Sequence, residues 1–135
     1  MSAAIEHFLQ RLQHPLIAGI DLSLDRMLRL LSLLRNPHKR LPPVIHVAGT
    51  NGKGSLVVYL HAIFEAAGYR VHRYTSPHLV HFSERILLQG KPIENAALEK
   101  LFRYLSPMLE QQQVTFFEAV TVAAFVAFSE KPADI

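Results

Sequence analysis

The sequence predicts an α/β fold in which a parallel β-sheet is flanked by helices. Three observations carry this. Val44-Ile45-His46-Val47-Ala48 is a short β-branched run that opens straight into glycines. Residues 53–67 then place Leu56, Leu60, Ile63 and Phe64 on one helical face, with Gly68 as the stop. Arg70 to Thr75 reads as a second strand. Strand, glycine loop, helix, strand is a βαβ unit, and such units imply parallel strands.

The other elements follow from periodicity and breakers. Ile5, Phe8, Leu9 and Leu12 fall at helical spacing, so a short amphipathic helix over about 3–13 is expected, ended by His14-Pro15. A helix over about 23–34 carries a stripe of Leu24, Met27, Leu28, Leu31 and Leu34, with Asp21 or Ser23 as N-cap. Residues 36–43 are a polar, proline-rich connector. Residues 84–93 read as an extended segment and a turn at Gln89-Gly90-Lys91-Pro92. Helices are expected over about 94–111 and 115–130, the second nearly all apolar and therefore buried. Pro132 to Ile135 looks like a loop and the start of another strand, as in a piece of a longer protein.

Composition bounds the function. The 135 residues suffice for one domain, half are hydrophobic and 19% charged, which suits a globular chain. The net charge of +3 fits a small anionic ligand as well as it fits nucleic acid and selects neither; small-molecule ligands and no nucleic-acid partner are expected. With no cysteine there is no disulfide framework and no thiol chemistry. Glu6 and its polar neighbours interrupt any signal-peptide run. The longest membrane candidate, Ala119 to Phe128, is about half the roughly 20 residues that a bilayer span needs. A soluble, cytoplasmic protein without a membrane partner is expected. His78 and His81 have no third ligand at a recognisable spacing, so no zinc site is expected. Arg70, Arg73 and Arg85 offer a basic rim or are scattered surface arginines.

The strongest chemical signal is Gly49-Thr50-Asn51-Gly52-Lys53-Gly54-Ser55. Glycines let backbone N–H groups close around phosphate oxygens. A helix that starts near Lys53 aims its unpaired N–H groups at the same anion, and Lys53 adds a mobile charge. The loop departs from G-x-x-x-x-G-K-[ST]: Val47 stands at the first glycine, and the hydroxyl comes one place late, at Ser55. The fold expected is therefore a P-loop-type mononucleotide-binding fold, incomplete within these residues.

With its departures, the loop resembles that of the Mur ligase superfamily in its folate branch, the folylpolyglutamate synthase/dihydrofolate synthase family. Tyr74-Thr75-Ser76-Pro77-His78-Leu79 with Ser83-Glu84-Arg85-Ile86 is similar to that family's SPHL…ERI segment. Ile20-Asp21-Leu22 with Leu24-Asp25-Arg26 is similar to its IDLGLER segment, and Thr115-Phe116-Phe117-Glu118 to its T-[YF]-F-E segment. Four segments in the right order cover about positions 20–118.

The resemblance implies an ATP-dependent ligase that joins glutamate to dihydropteroate or to a reduced folate through an acyl phosphate. It implies Thr50, Asn51, Gly52, Lys53, Gly54 and Ser55 as the ATP-binding loop, with Lys53 as the catalytic cation and Ser76 as a Mg²⁺ ligand. Gly19, Ile20, Asp21 and Leu22 would line the pteroate site with Thr115, Phe116, Phe117 and Glu118. Gly19 stands where the family commonly has a small polar residue. From the residues alone, Glu118 is either a paired buried carboxylate or a site residue, and Phe116 and Phe117 are either core or stacking surfaces. Residues 1–135 would form the N-terminal part of the ATP-binding domain of a monomeric parent. The remaining metal ligands and the C-terminal domain lie elsewhere, so these residues alone are expected to be inactive. The alternatives are a Mur-like ligase of cell-wall precursors, a small-molecule kinase and a non-catalytic nucleotide-binding module. Ser-Pro-His-Leu with Glu-Arg-Ile favours the folate branch, and the irregular loop disfavours a kinase.

Overall fold

A computed structural model of the chain describes His7, Leu9, Gln10, Leu12 and residues 23–135. The four isolated residues are helical, and Leu9 and Leu12 are buried in the core. Four further helices follow: α1 (Asp25–Leu33), α2 (Lys53–Ala66), α3 (Asn95–Gln112) and α4 (Phe116–Glu130). Three short strands, β1 (Arg73–Tyr74), β2 (Ile86–Leu88) and β3 (Lys91–Pro92), form one sheet in sequence order.

The core is built around α4. Ala119, Val120, Val122, Ala123, Ala124, Val126 and Ala127 are all buried, so the helix is enclosed on most of its circumference. The four alanines let neighbours approach closely: α1, α3, β2 and a 3-10 turn at Pro37–Arg40 all pack on it. Pro37 is fully buried, so the connector that reads as polar contributes to the core. α3 presents Leu98, Phe102, Leu105 and Leu109, a stripe at helical spacing. Pro107 within α3 lacks an N–H for the Arg103 carbonyl, and the Ser106 hydroxyl donates to that carbonyl instead, at 3.3 Å.

α1 differs from expectation in its start and its face. Leu24 takes the N-cap position without a side-chain cap, and Arg26, Leu30 and Leu31 are the buried residues. Leu24 and Leu28 are exposed. The buried face turns because Arg26 points to the start of α4, as described below. Asp21 lies outside the described residues.

α2 ends as Gly68 predicts. Gly68 has φ +88°, its N–H bonds to the Glu65 carbonyl and the Tyr69 N–H to the Phe64 carbonyl. This is a Schellman stop, and the Phe64 and Tyr69 rings meet edge-on at 5.8 Å across it.

The sheet corrects the expectation. β1 pairs β2 and β2 pairs β3, both antiparallel, with Arg73 opposite Leu87 and Leu88 opposite Lys91. Gln89 and Gly90, both at positive φ, make the tight turn between β2 and β3. Residues 44–48 form no strand. A strand needs a ladder, and among the described residues none bonds to this segment; Val44 is 70% exposed and Ile45 50%. Among the described residues, parallel pairing is confined to the segment before β1. Ile135 N–H reaches the Arg70 carbonyl at 3.4 Å and the Ile135 carbonyl accepts the His72 N–H at 2.9 Å, the alternation of a parallel pair, and Asp134 N–H adds a bond to the Arg70 carbonyl at 2.8 Å.

His72 locks this edge. Its ring stacks on Phe128 at 4.9 Å. Nδ1 accepts the Gln89 N–H, so the ring proton sits on Nε2 and goes to the Lys131 carbonyl at 2.9 Å. Burial holds the imidazole below its ordinary value near 6.5. The unfolded chain therefore takes up this proton first, and the stabilisation is complete above pH 6.5 and declines as pH falls through it. Urea midpoints should drop between about pH 7.5 and about pH 5.5, and His72→Phe, which keeps a stacked ring, should show a smaller drop. An equal drop in both proteins would remove His72 as the cause.

Candidate functional site

The glycine loop leads into α2. Gly52 is the N-cap, in the left-handed region at φ +76°, and Gly49 has φ +143°. Both values strain any residue with a Cβ. The Gly52 carbonyl accepts the first helical bond, from the Leu56 N–H at 2.9 Å. The early N–H groups of a 14-residue helix are thus left pointing out of its end. Residues 49 to 55 are all exposed, and nothing stands within 4 Å of where a Cβ would be at Gly49, Gly52 or Gly54. Lys53 folds back across the loop, its Nζ donating to the carbonyls of Gly49 at 2.6 Å and Thr50 at 3.0 Å. The ammonium is held at the mouth of the loop beside open space. Fixed N–H groups, a helix end and a tethered cation suit a phosphate chain.

The segment from Ser76 to Arg85 forms a second cluster. The Ser76–Pro77 peptide is cis, and Ser76 is exposed at the end of β1. Glu84 closes the loop that follows: its carboxylate accepts the N–H groups of Leu79, Val80 and His81 at 3.0, 3.3 and 2.8 Å. The His81 amide, and after it the Leu79 amide, hold it below the usual carboxylate range. Arg85 is buried, at 6% exposure. It donates from Nη1 to Ser76 Oγ and from Nε to His78 Nδ1, both at 2.8 Å. Its guanidinium lies over the rings of Phe82 at 5.7 Å and Phe116 at 5.3 Å.

Thr115 to Glu118 begin α4 as a reciprocal cap. Glu118 N–H donates to Thr115 Oγ1 at 3.3 Å, and Thr115 N–H to Glu118 Oε2 at 2.7 Å. Glu118 Oε1 also pairs with Arg26 Nη2 at 3.2 Å, largely out of solvent. Phe116 packs on Phe82 at 6.2 Å, whereas Phe117 is 57% exposed. The Phe117 ring lies 6.5 Å from that of Tyr74. Tyr74 donates to Thr121 Oγ1, which donates to the Phe117 carbonyl, so the backbone under Phe117 is fixed. Burial pushes the Tyr74 phenol up.

Arg85 therefore brings Ser76 and the Thr115–Glu118 segment together. Among the described residues no hydrogen bond or ring contact joins the glycine loop to them. Gly19, Ile20, Asp21 and Leu22 lie outside the described residues. The basic rim is not formed: Arg85 is buried, and Arg70 is engaged by Asp134 through Nε at 3.0 Å and Nη2 at 2.9 Å. Arg85 and His78 escape sequence reasoning, because no spacing reveals that an arginine turns inward to bond residues seven and nine positions earlier.

Among the described residues, no three His, Cys, Asp or Glu side chains gather as metal ligands. Ser76 Oγ is one hard oxygen donor. After accepting from Arg85 it keeps a lone pair and its own proton. That fits Mg²⁺, which keeps several waters and binds phosphate oxygens, better than a metal needing a full protein cage.

The cap and the ion pair make Glu118 structural whatever else it contacts. Glu118→Gln keeps the cap and loses the ion pair, while Glu118→Ala loses both. The alanine variant should lose about 1 kcal/mol more stability than the glutamine variant in urea denaturation. Wild-type stability in both variants would show that neither interaction matters.

No protein-family model matches the chain. The dihydrofolate synthase/folylpolyglutamate synthase of Bacillus subtilis is 38% identical over 118 residues, 83% of this chain and 27% of that protein. The folylpolyglutamate synthase of Mycobacterium tuberculosis, complexed with ADP, superposes with a TM-score of 0.86 at 37% identity, over 97% of this chain and 30% of that one. The bifunctional folylpolyglutamate synthase/dihydrofolate synthase of Yersinia pestis, complexed with AMPPNP and Mn ion, gives 0.86 at 34% identity, over 96% and 32%. The chain thus spans about a third or less of these proteins. Over the part that it spans, the chain belongs to the folylpolyglutamate synthase/dihydrofolate synthase family.

Proposed function

We propose that the whole protein uses ATP to join the amino group of L-glutamate to a carboxyl group of dihydropteroate or of a folyl(poly)glutamate. Residues 1–135 supply the first part of its ATP-binding domain. The observation that supports this most is the open, lysine-guarded glycine loop at the start of α2, in a fold shared with an ADP-bound relative.

The chemistry has two steps. A carboxylate oxygen of the folate attacks the γ-phosphorus of ATP, the bond to the β-phosphate oxygen breaks, and ADP leaves. The glutamate amine then attacks the acyl carbon, phosphate departs, and the nitrogen loses a proton to give the amide. Carboxylate oxygen leaves poorly and phosphate leaves well, so the protein's work is positioning and charge stabilisation. Thr50, Asn51, Gly52, Gly54 and Ser55 offer backbone and hydroxyl groups to the phosphates. Lys53 exchanges its loop carbonyls for phosphate oxygens, where its charge matters more. Bound Mg²⁺ would neutralise phosphate charge, and Ser76 would hold it. Phe117, exposed on a fixed backbone, offers a stacking face for a pterin ring. Phe116 instead packs inward, and Glu118 is engaged by Arg26. The ligands are small molecules, and no described helix is long and apolar enough to cross a membrane.

Lys53→Ala should weaken ATP binding about tenfold or more, the loss of one charge-assisted hydrogen bond, with little change in the thermal melt without nucleotide. A large loss of stability instead would make Lys53 a structural residue. The function itself is tested on the product of the complete reading frame, incubated with Mg-ATP, glutamate and either dihydropteroate or a reduced folate. Mass spectrometry should show a pterin heavier by one glutamyl residue. Folded, ATP-binding protein that yields no adduct with either substrate would refute the assignment.

A further inference from the structure

The geometry points to Arg85 as a positioning residue that holds the Ser76 hydroxyl in place for the divalent cation and ties it to the start of α4. This rests on the reading of Ser76 as the metal ligand. Arg85 is buried while Ser76 and Pro77 are exposed, so an interior group reaches out to a surface turn. Two donors of one planar guanidinium reach Ser76 Oγ and His78 Nδ1, each at 2.8 Å. The guanidinium carbon lies over the rings of Phe82 and Phe116. Orientation is therefore set at both ends, by rings on one side and by bonds on the other.

Stability alone does not explain this arrangement. Burying a guanidinium against two neutral acceptors costs more than filling the gap with an apolar side chain. Among the described residues no carboxylate pairs with Arg85. What the arrangement provides is directional. One lone pair of Ser76 Oγ is used by the arginine, so the other lone pair and the hydroxyl proton have fixed directions. The bond from Nε also leaves the His78 ring proton on Nε2. Because Phe116 belongs to the α4 start, a shift there moves the guanidinium and, through it, Ser76. Lysine can keep the charge but cannot supply two N–H groups at a fixed angle.

The test uses the full-length protein as wild type, Arg85→Lys, Arg85→Gln and Ser76→Ala. Mn²⁺ binding is read from the free-ion EPR signal with a non-hydrolysable ATP analogue present. Binding of the same analogue without metal is read by calorimetry. Both Arg85 variants should raise the Mn²⁺ half-saturation about tenfold or more, the usual cost of losing a partner that orients a ligand. Ser76→Ala should do the same, and metal-free nucleotide binding should stay at the wild-type level in all four. Wild-type Mn²⁺ binding by the Arg85 variants alongside weakened Ser76→Ala would overturn the positioning role alone. Wild-type Mn²⁺ binding by Ser76→Ala would overturn the metal reading and the inference with it. Parallel loss of metal-free nucleotide binding in the Arg85 variants would mark general disruption and also overturn it.

Discussion

Enclosure of α4 is the constraint on which the other elements depend. A helix with seven buried residues cannot face water on any broad side, so α1, α3, the Pro37 turn and β2 are drawn onto it. Small residues make this possible, since Ala119, Ala123, Ala124 and Ala127 leave room for Leu and Phe side chains from neighbours. The polar business of the molecule is then pushed to the ends of α4. At its start, Thr115, Glu118 and Arg26 satisfy one another; past its end, Lys131 and Asp134 anchor to His72 and Arg70.

The same constraint places the chemistry. Because α4 starts beside the Ser76–Arg85 segment, Phe116 can turn in to clasp Arg85 while Phe117 turns out beside Tyr74. One element thus contributes an interior residue that orders a surface turn and an exterior aromatic beside it. α2 stands apart. His61 is its one buried residue, and Leu56, Val58, Tyr59 and Ile63 are exposed. The loop that it carries owes its shape to local geometry, namely two glycines at positive φ and one lysine bonded to its own loop.

Legibility in the sequence followed the range of the forces involved. α3 and α4 were readable to within a residue or so, because their periodicity and caps are local. Gly68 and the Gln89-Gly90 turn were readable for the same reason. The strand at 44–48 was misread: a β-branched run announces a preference, but a strand exists only through a partner, and no described segment pairs with it. The stripe on α1 was misread at Leu24 and Leu28, because the pull of Glu118 on Arg26, 92 positions away, turns the buried face. The glycine loop's local shape was legible, since glycines at 49 and 52 and a lysine that reaches back suffice to set it. The interior role of Arg85 was not, because it depends on three segments meeting.

On the function proposed above, the loop from Gly49 to Ser55 receives the phosphates of ATP. Amide hydrogen exchange on the full-length protein with and without Mg-ATP tests this most directly. Exchange should slow at residues 49–55 and around Ser76, with α3 unchanged. ATP binding that leaves the amides of residues 49–55 exchanging at their free rate would contradict it.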